Sequence, residues 1–496
     1  MPDTIPPPEP LFDRTPALGP AGLAQGPPEP LVHDGSARAL RQRTVNFAAK
    51  RFVDMMFVSG LDRATAERHF RWRPAAIPGG LAARPVPDGG IAAALAGAQA
   101  AGRLAIETDA PERRVRVSWS DPEFGPPVVG HAVARAGYGG ILLGAAAAPR
   151  FDPVAFSRPP GTPAAAWPRG DAVAPAPAAP ALEDAARALA AGSPGLYGVL
   201  VATPERVAYE HYSAFGAPDR PTPSWSMTKA ITCTLIGRLL HDGWLRSVHD
   251  PAPAPLWSDP RAIQHRITLD HLLRMRAGLA MPVLAEDGST RLGFENSAVY
   301  VDAADAFETA QRCIVATEPG AVFRYVNSGV NVLGAVLRAE IERRGLAYPA
   351  TLYALLADRL GMRSYQHSAD IVGNLIASGA GFATLRDYAK LGVLYLQDGV
   401  WEGARLLPAG WAEYALAPTH AGSSYAACFR TNADRLFPEL PADAAWASGA
   451  SDQRIFILRR QRLVVAVANE TDYPMDLAAL GRLVAAAIAW GGGTGG

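Results

Sequence analysis

From Ala37 onward apolar residues recur at helical spacing. Val45, Ala48, Ala49, Phe52, Met55, Met56 and Val58 share one face of a helix predicted over 37–60. A second helical run follows at 63–70, and 90–101 carries a third. Val115, Val117 and Trp119 alternate with polar residues, as a half-buried strand does. Together these elements predict a small α+β module over 37–148. Farther along, Gly198–Ala202 and Val207–Tyr212 form a predicted hairpin around Thr203–Arg206. Arg454–Leu458 and Leu463–Val467 form another that turns at 459–461. Between them, 226–415 reads mainly as helical runs and loops, and a last helix is expected after Asp472 with Pro474 near its first turn. Strands from both ends are expected to join one antiparallel sheet flanked by helices, with a helical lobe inserted between them. The cleft between sheet and lobe is the expected binding site.

The connecting segments have a different composition. Residues 1–30 hold ten prolines, and 1–36 reads as a disordered tail. Residues 149–182, rich in Ala and Pro, read as a linker that packs weakly. The remainder, 183–490, is then the larger domain, and a chain beginning near Pro180 is expected to fold alone.

Charge and cysteine usage narrow the function classes. Lys+Arg and Asp+Glu both number 47, for a formal net charge of +0. Neither a nucleic-acid partner nor an anionic membrane surface is indicated. The three cysteines, Cys233, Cys313 and Cys428, make no paired framework and no C-x-x-C. No metal and no cofactor are expected, since the histidines lack ligand spacing such as H-E-x-x-H. The longest apolar runs, such as 139–148, are too short to span a bilayer. The start of the chain lacks a basic region followed by an apolar core. A cytoplasmic protein acting on a small molecule is the expectation, with the oligomeric state open.

Candidate chemistry begins at Ser226-Met227-Thr228-Lys229, where a proline-containing loop gives way to a helical pattern. A hydroxyl and an amine three residues apart at a helix start share one face and can touch. The amine can take the hydroxyl's proton, and the helix N-terminus favours the negative charge that develops. A lone S-x-x-K also fits a helix cap beside a solvated lysine. Tyr325-Val326-Asn327 follows a Pro-Gly turn and precedes a helix, and such a loop can hold a phenol and an amide over a cleft. The plain alternatives are a half-buried tyrosine and a helix cap. Ala447-Ser448-Gly449-Ala450 precedes the Arg454–Leu458 strand, where small residues let a substrate backbone approach and expose an N–H.

Five segments stand in a shared order: Ser224–Lys229, Leu269–Leu279, Tyr325–Asn327, Gly379–Gly392 and Trp446–Ala450. In this order the chain resembles serine hydrolases related to class C β-lactamases, whose S-x-x-K is a catalytic signature. It looks most like the branch with 6-aminohexanoate-dimer hydrolases and esterases. The resemblance implies a β-lactamase/penicillin-binding-like α+β fold and an acyl-enzyme on Ser226. It makes Lys229 and Tyr325 the proton-transfer pair, and Asn327 the group that orients Lys229 and the substrate. Ser448 and Gly449 would then line the substrate, and the backbone N–H groups of Ser226 and Ala450 would form the oxyanion hole.

Two departures bear on substrate. Ala447 stands where β-lactamases carry the Lys of Lys-Thr-Gly, which removes a partner for a substrate carboxylate. Asp452, if it points inward, opposes anionic substrates. Small esters or linear amides are therefore expected. β-Lactams, D-amino-acid peptides and a non-catalytic binding role are the alternatives.

Overall fold

A computed structural model of the chain describes residues 31–70, 91–153, 156, 158, 165–173, 179–284, 288, 290–293, 299–470 and 473–493. At its centre lies a six-stranded antiparallel sheet in the order Arg430–Thr431, Ala445–Ser448, Arg454–Leu458, Leu463–Asn469, Leu196–Ala202, Val207–Tyr212. The two predicted hairpins therefore meet in one sheet, through pairs such as Val465↔Val201 and Val467↔Val199. Near-continuous Val, Ile and Ala at these positions marks strands covered on both faces. Val199, Val201, Phe456, Val465 and Trp446 pack against the helices Pro180–Gly192 and Leu477–Gly493. Leu200, Ile455, Ile457 and Val464 face the helix Leu385–Leu396 and the helical lobe. That helix lies close because of Gly392, where a Cβ would stand 2.7 Å from Val464 Cγ2. The fold is the α+β, β-lactamase/penicillin-binding-like architecture. The last helix begins at Leu477, so Pro474 precedes its first turn.

The N-terminal module contains the expected helices, Ala37–Val53, Arg63–His69 and Ile91–Ala100. The first continues as one π-turn over Asp54–Val58. Four antiparallel strands accompany them, Leu104–Asp109, Arg114–Trp119, Val128–Arg135 and Gly139–Gly144, of which alternation marked only the second. Gly139–Gly144 is buried along its whole length, so it has no alternation to read.

Packing corrects two expectations. Of the predicted tail, 1–30 lies outside the described residues, but His33–Asp34 is a strand paired in parallel with Val283–Leu284. The 149–182 segment is firmly held where it is described. Arg158 bonds the carboxylate of Asp358 at 2.7 Å and the carbonyls of Met362 and Tyr365. Trp167 Nε1 donates to Thr203 O at 3.0 Å, and Lys390 donates to Asp171 Oδ1 at 3.1 Å. The Ala/Pro composition concealed these isolated anchors.

The module itself shares the hydrolase core. Val133, Tyr138, Ile141 and Leu143 belong to the same buried cluster as Met227, Ile231 and Leu333. Asn46 Nδ2 donates to Val301 O at 2.6 Å, and Arg43 pairs with Asp302 at 2.6 Å. Arg51 reaches Glu470 at 2.9 Å with both side chains buried.

The aliphatic contacts of Val133, Ile141 and Leu143 alone are worth about 5–9 kcal/mol by apolar burial. Whole domains are stable by only about 5–15 kcal/mol. A chain beginning at Pro180 is therefore expected to aggregate or to unfold far below the full chain. Comparing soluble yield and unfolding midpoint of the two lengths checks this; equal midpoints would mean that the shared core is dispensable.

Candidate active site

The chain turns sharply into Ser226. Trp225 adopts φ +45°, in the left-handed region, a conformation that costs a bulky residue on the order of 1–3 kcal/mol and clusters at functional sites. The surroundings hold it there. Ser224 Oγ and Thr228 Oγ1 lie 2.6 Å apart, Gly381 N donates to Thr228 Oγ1 at 3.1 Å, and Ser224 N donates to Gly381 O at 2.8 Å. Trp225–Met227 forms one 3-10 turn that leads directly into the helix Thr228–His241.

Across that turn Lys229 Nζ donates to Ser226 Oγ at 2.8 Å and to the carbonyl of Ser378 at 2.7 Å. Lys229 is 1% exposed, and no carboxylate pairs with it among the described residues. The contrast with Lys390 is instructive. It is equally buried, yet it pairs with Asp387 and Asp171. Buried charge ordinarily needs such a partner, so Lys390 reads as a structural cation and Lys229 as an amine held by neutral oxygens. With this geometry an ammonium can donate to Ser226, or an amine can accept the Ser226 proton.

Tyr325 also comes to Lys229, but through its ring face, with Nζ 5.0 Å from the centroid. Asn327 opens the helix Asn327–Glu342 and is buried. Asn331, one turn farther on, reaches the Lys229 network through Ser378. Asn331 Nδ2 donates to Ser378 Oγ at 3.0 Å, and Ser378 N donates to Asn331 Oδ1 at 3.3 Å. The Tyr300 hydroxyl shares Ser378 Oγ at 2.9 Å. The motifs point to none of Ser378, Asn331 and Tyr300. The usable signal was the spacing of Asn327 and Asn331, four apart on one helix face.

His367 supports the same segment. Its Nε2 lies 2.8 Å from Ile376 O and its Nδ1 lies 3.0 Å from the Tyr365 hydroxyl. Burial pushes its pKa down to about 4, so it stays neutral and structural. Burial likewise raises Cys428 to about 12. Cys428 is therefore a thiol near neutral pH and no rival nucleophile.

The third motif borders the elbow. A Cβ on Gly449 would stand 2.2 Å from Ser224 O. The turn after it is closed by Gly449 N donating to Gln453 O at 2.8 Å, with Ser451 and Asp452 left-handed. Ala450 is exposed at the start of this turn. Ser226 and Ala450 both stand at 3-10 starts, where backbone N–H groups lack an intrahelical acceptor. Ser448 is half-buried at the strand end. Asp452 pairs with Arg454 at 2.8 Å, and Arg454 lies over the Phe437 ring on the far face of the sheet. Its charge is thus drawn away from Ser226.

Ala447 is buried and carries no charge, yet a cation from the next strand comes to the Tyr325 ring. The half-buried Arg430 guanidinium sits 5.5 Å from the Tyr325 ring and 5.2 Å from the Tyr425 ring. Among the described residues no group of three or more His, Cys, Asp or Glu is placed to hold a metal, and no helix is long and apolar enough to cross a membrane.

Comparison with known proteins adds the family. The model described as Beta-lactamase matches residues 181–489, more than half of the chain. The chain belongs to this family. It is accordingly a hydrolase of the β-lactamase-related serine class. Three solved structures are similar to it. A Bacillus anthracis protein described as a candidate 6-aminohexanoate-dimer hydrolase is 17% identical, over 60% of this chain and 79% of that one, with a TM-score of 0.48. A penicillin-binding protein homologue from Caulobacter crescentus is 18% identical over 64% and 99%, with a TM-score of 0.47. A D-stereospecific amidohydrolase from a Streptomyces species is 15% identical over 61% and 98%, with a TM-score of 0.44. Among curated proteins none matches.

The Gly449 contact gives a test that leaves the candidate side chains untouched. Gly449→Ala must push the Ser224 backbone away, at a stability cost of about 1–3 kcal/mol. A displacement of this kind two residues before Ser226 is expected to lower hydrolytic kcat by roughly 100-fold. Turnover and thermal unfolding measured on one preparation check it; unchanged kcat would mean that the third motif does not brace the elbow.

Proposed function

We propose that this β-lactamase-family protein hydrolyses small esters or linear amides through an acyl-enzyme on Ser226. The observation that carries the reading is the 2.8 Å bond between Lys229 Nζ and Ser226 Oγ, made by a buried amine without a carboxylate partner among the described residues. Ser226 Oγ attacks the carbonyl carbon while its proton passes to the Lys229/Tyr325 pair. The backbone N–H groups of Ser226 and Ala450 receive the oxyanion, each worth roughly 3–4 kcal/mol in well-studied cases. The C–O or C–N bond then breaks, and the stored proton goes to the leaving alcohol or amine. Water attacks the acyl carbon, gives up a proton to the same pair, and frees the carboxylic acid and Ser226. Ser378 and Asn331 are positioning residues that hold Lys229. Asn327, Ser448 and Gly449 line the substrate side in this reading.

Ser226→Ala is expected to abolish hydrolysis of p-nitrophenyl butyrate while moving the unfolding midpoint little, because one hydroxyl beside a cleft contributes little stability. A fluorophosphonate probe is expected to label Ser226, as peptide mapping would show. Full turnover in a clean Ser226→Ala preparation would remove the assignment.

Arg430 favours a second reading, in which a substrate carboxylate meets its guanidinium, as in a β-lactam or a D-amino-acid peptide. The two readings separate on kcat/KM. We expect p-nitrophenyl butyrate to exceed nitrocefin by at least about ten-fold, the difference that 1.4 kcal/mol supplies. Comparable values, with nitrocefin turnover alone lost in Arg430→Gln, would favour the carboxylate reading.

A further inference from the structure

The strained residue before Ser226 is touched from outside the family match. Trp225 is half-buried at φ +45°, and the Arg51 guanidinium lies over its ring, 6.0 Å from the centroid. Arg51 belongs to the helix Ala37–Val53, ahead of residue 181 where that match begins. Lys50, its neighbour on the helix, stands 5.9 Å from the Phe382 ring centroid and donates to Ser368 Oγ at 3.0 Å. Phe382 pairs in a strand with Pro223, two residues before Trp225, and its side chain belongs to the buried cluster of the N-terminal module. Two consecutive residues of one helix thus reach both segments that frame the turn into Ser226.

Arg51 is itself anchored. Its Nη2 donates to Glu470 Oε1 at 2.9 Å, and Glu470 also accepts the Tyr197 hydroxyl. Tyr197 lies on the strand Leu196–Ala202, and Glu470 follows the strand Leu463–Asn469. The guanidinium is therefore tied to the central sheet on one side and meets the indole on the other. A left-handed conformation at a bulky residue persists only where its surroundings over-determine it. The hydrogen bonds among Ser224, Thr228 and Gly381 hold the chain on either side of Trp225. A planar cation over the ring holds the side chain between them.

We propose that Arg51 is a positioning residue for the Ser226 centre, which holds the Trp225 indole and through it keeps the strained turn, and Ser226, in the geometry of attack. The inference rests on the Ser226 reading and deepens it. A reacting group misplaced by about 1 Å loses on the order of 100-fold in rate. A contact one residue from the nucleophile therefore has more effect on turnover than on stability. The N-terminal module then completes the active centre from outside the hydrolase fold.

The test is a double-mutant cycle on the full chain in a Glu470→Gln background, which spares Arg51→Met from stranding a buried carboxylate. It reads kcat and KM for p-nitrophenyl butyrate and the rate at which a fluorophosphonate labels Ser226, each beside the unfolding midpoint. Arg51→Met is expected to lower kcat and the labelling rate at least about ten-fold while KM stays within about two-fold. Combined with Trp225→Leu, the same change is expected to lower them by less than about two-fold, because the ring it acts through is gone. Trp225→Leu alone, with the buried pair intact, is expected to lower kcat at least about ten-fold, and it decides the matter if the Arg51 variants do not fold. Wild-type kcat in Trp225→Leu would overturn the proposal. So would an Arg51→Met loss that is absent, or that is equal with and without the indole. Its failure is separable from that of the nucleophile. If Ser226→Ala still cleaves the butyrate ester, the Ser226 reading is lost; if Ser226→Ala is inactive while Arg51→Met leaves the rates unchanged, only the positioning role is lost.

Discussion

The candidate site depends on an amine buried without a carboxylate partner among the described residues. Lys229 is enclosed by the Ser226 hydroxyl, the Ser378 carbonyl and the Tyr325 ring. Each is an uncharged group, in contrast to the carboxylates that pair with the equally buried Lys390. The surrounding architecture keeps these neutral groups in position. Asn331 and Tyr300 hold Ser378, His367 holds Ile376 two residues earlier, and Thr228 ties Gly381 to the elbow. Such a network must be satisfied throughout, because one unpaired member at this burial costs more than the bond it replaces.

The same reasoning explains why the N-terminal module is fused to the fold so firmly. Its first helix presents Arg51 to the buried Glu470, which also accepts the Tyr197 hydroxyl. Removing the arginine would strand a charge in the core, a loss of about 3–5 kcal/mol in comparable buried pairs. The pair works as a fastener between the module and the central sheet.

Long-range pattern was the part of the fold most legible in the sequence. Alternating and continuous apolar runs located Val207–Tyr212 and Arg454–Leu458 to the residue, and the S-x-x-K spacing placed Ser226 against Lys229. What escaped was whatever lacks a period. Gly139–Gly144 is buried on both faces and has no alternation. Arg158, Trp167 and Asp171 are single anchors set in Ala/Pro-rich chain, where composition pointed to looseness. Ser378 acts through its carbonyl, which every residue has, so no residue type could reveal it. Arg430 reaches Tyr325 from a strand of two residues, too short to leave a pattern.

The order of the strands also bears on how the chain is made. Leu196–Ala202 pairs with Leu463–Asn469 in the finished sheet, yet about 260 residues must leave the ribosome between them. At ordinary synthesis rates that interval lasts on the order of tens of seconds. Throughout it, one border of the Leu196–Tyr212 hairpin lacks its neighbour, and Val199 and Val201 lack the Leu477–Gly493 helix that will cover them. A nascent ribbon in this condition can add any passing strand. Newly made chains are thus vulnerable until Leu463–Asn469 and the Leu477–Gly493 helix, the pieces that close and cover the sheet, have been made.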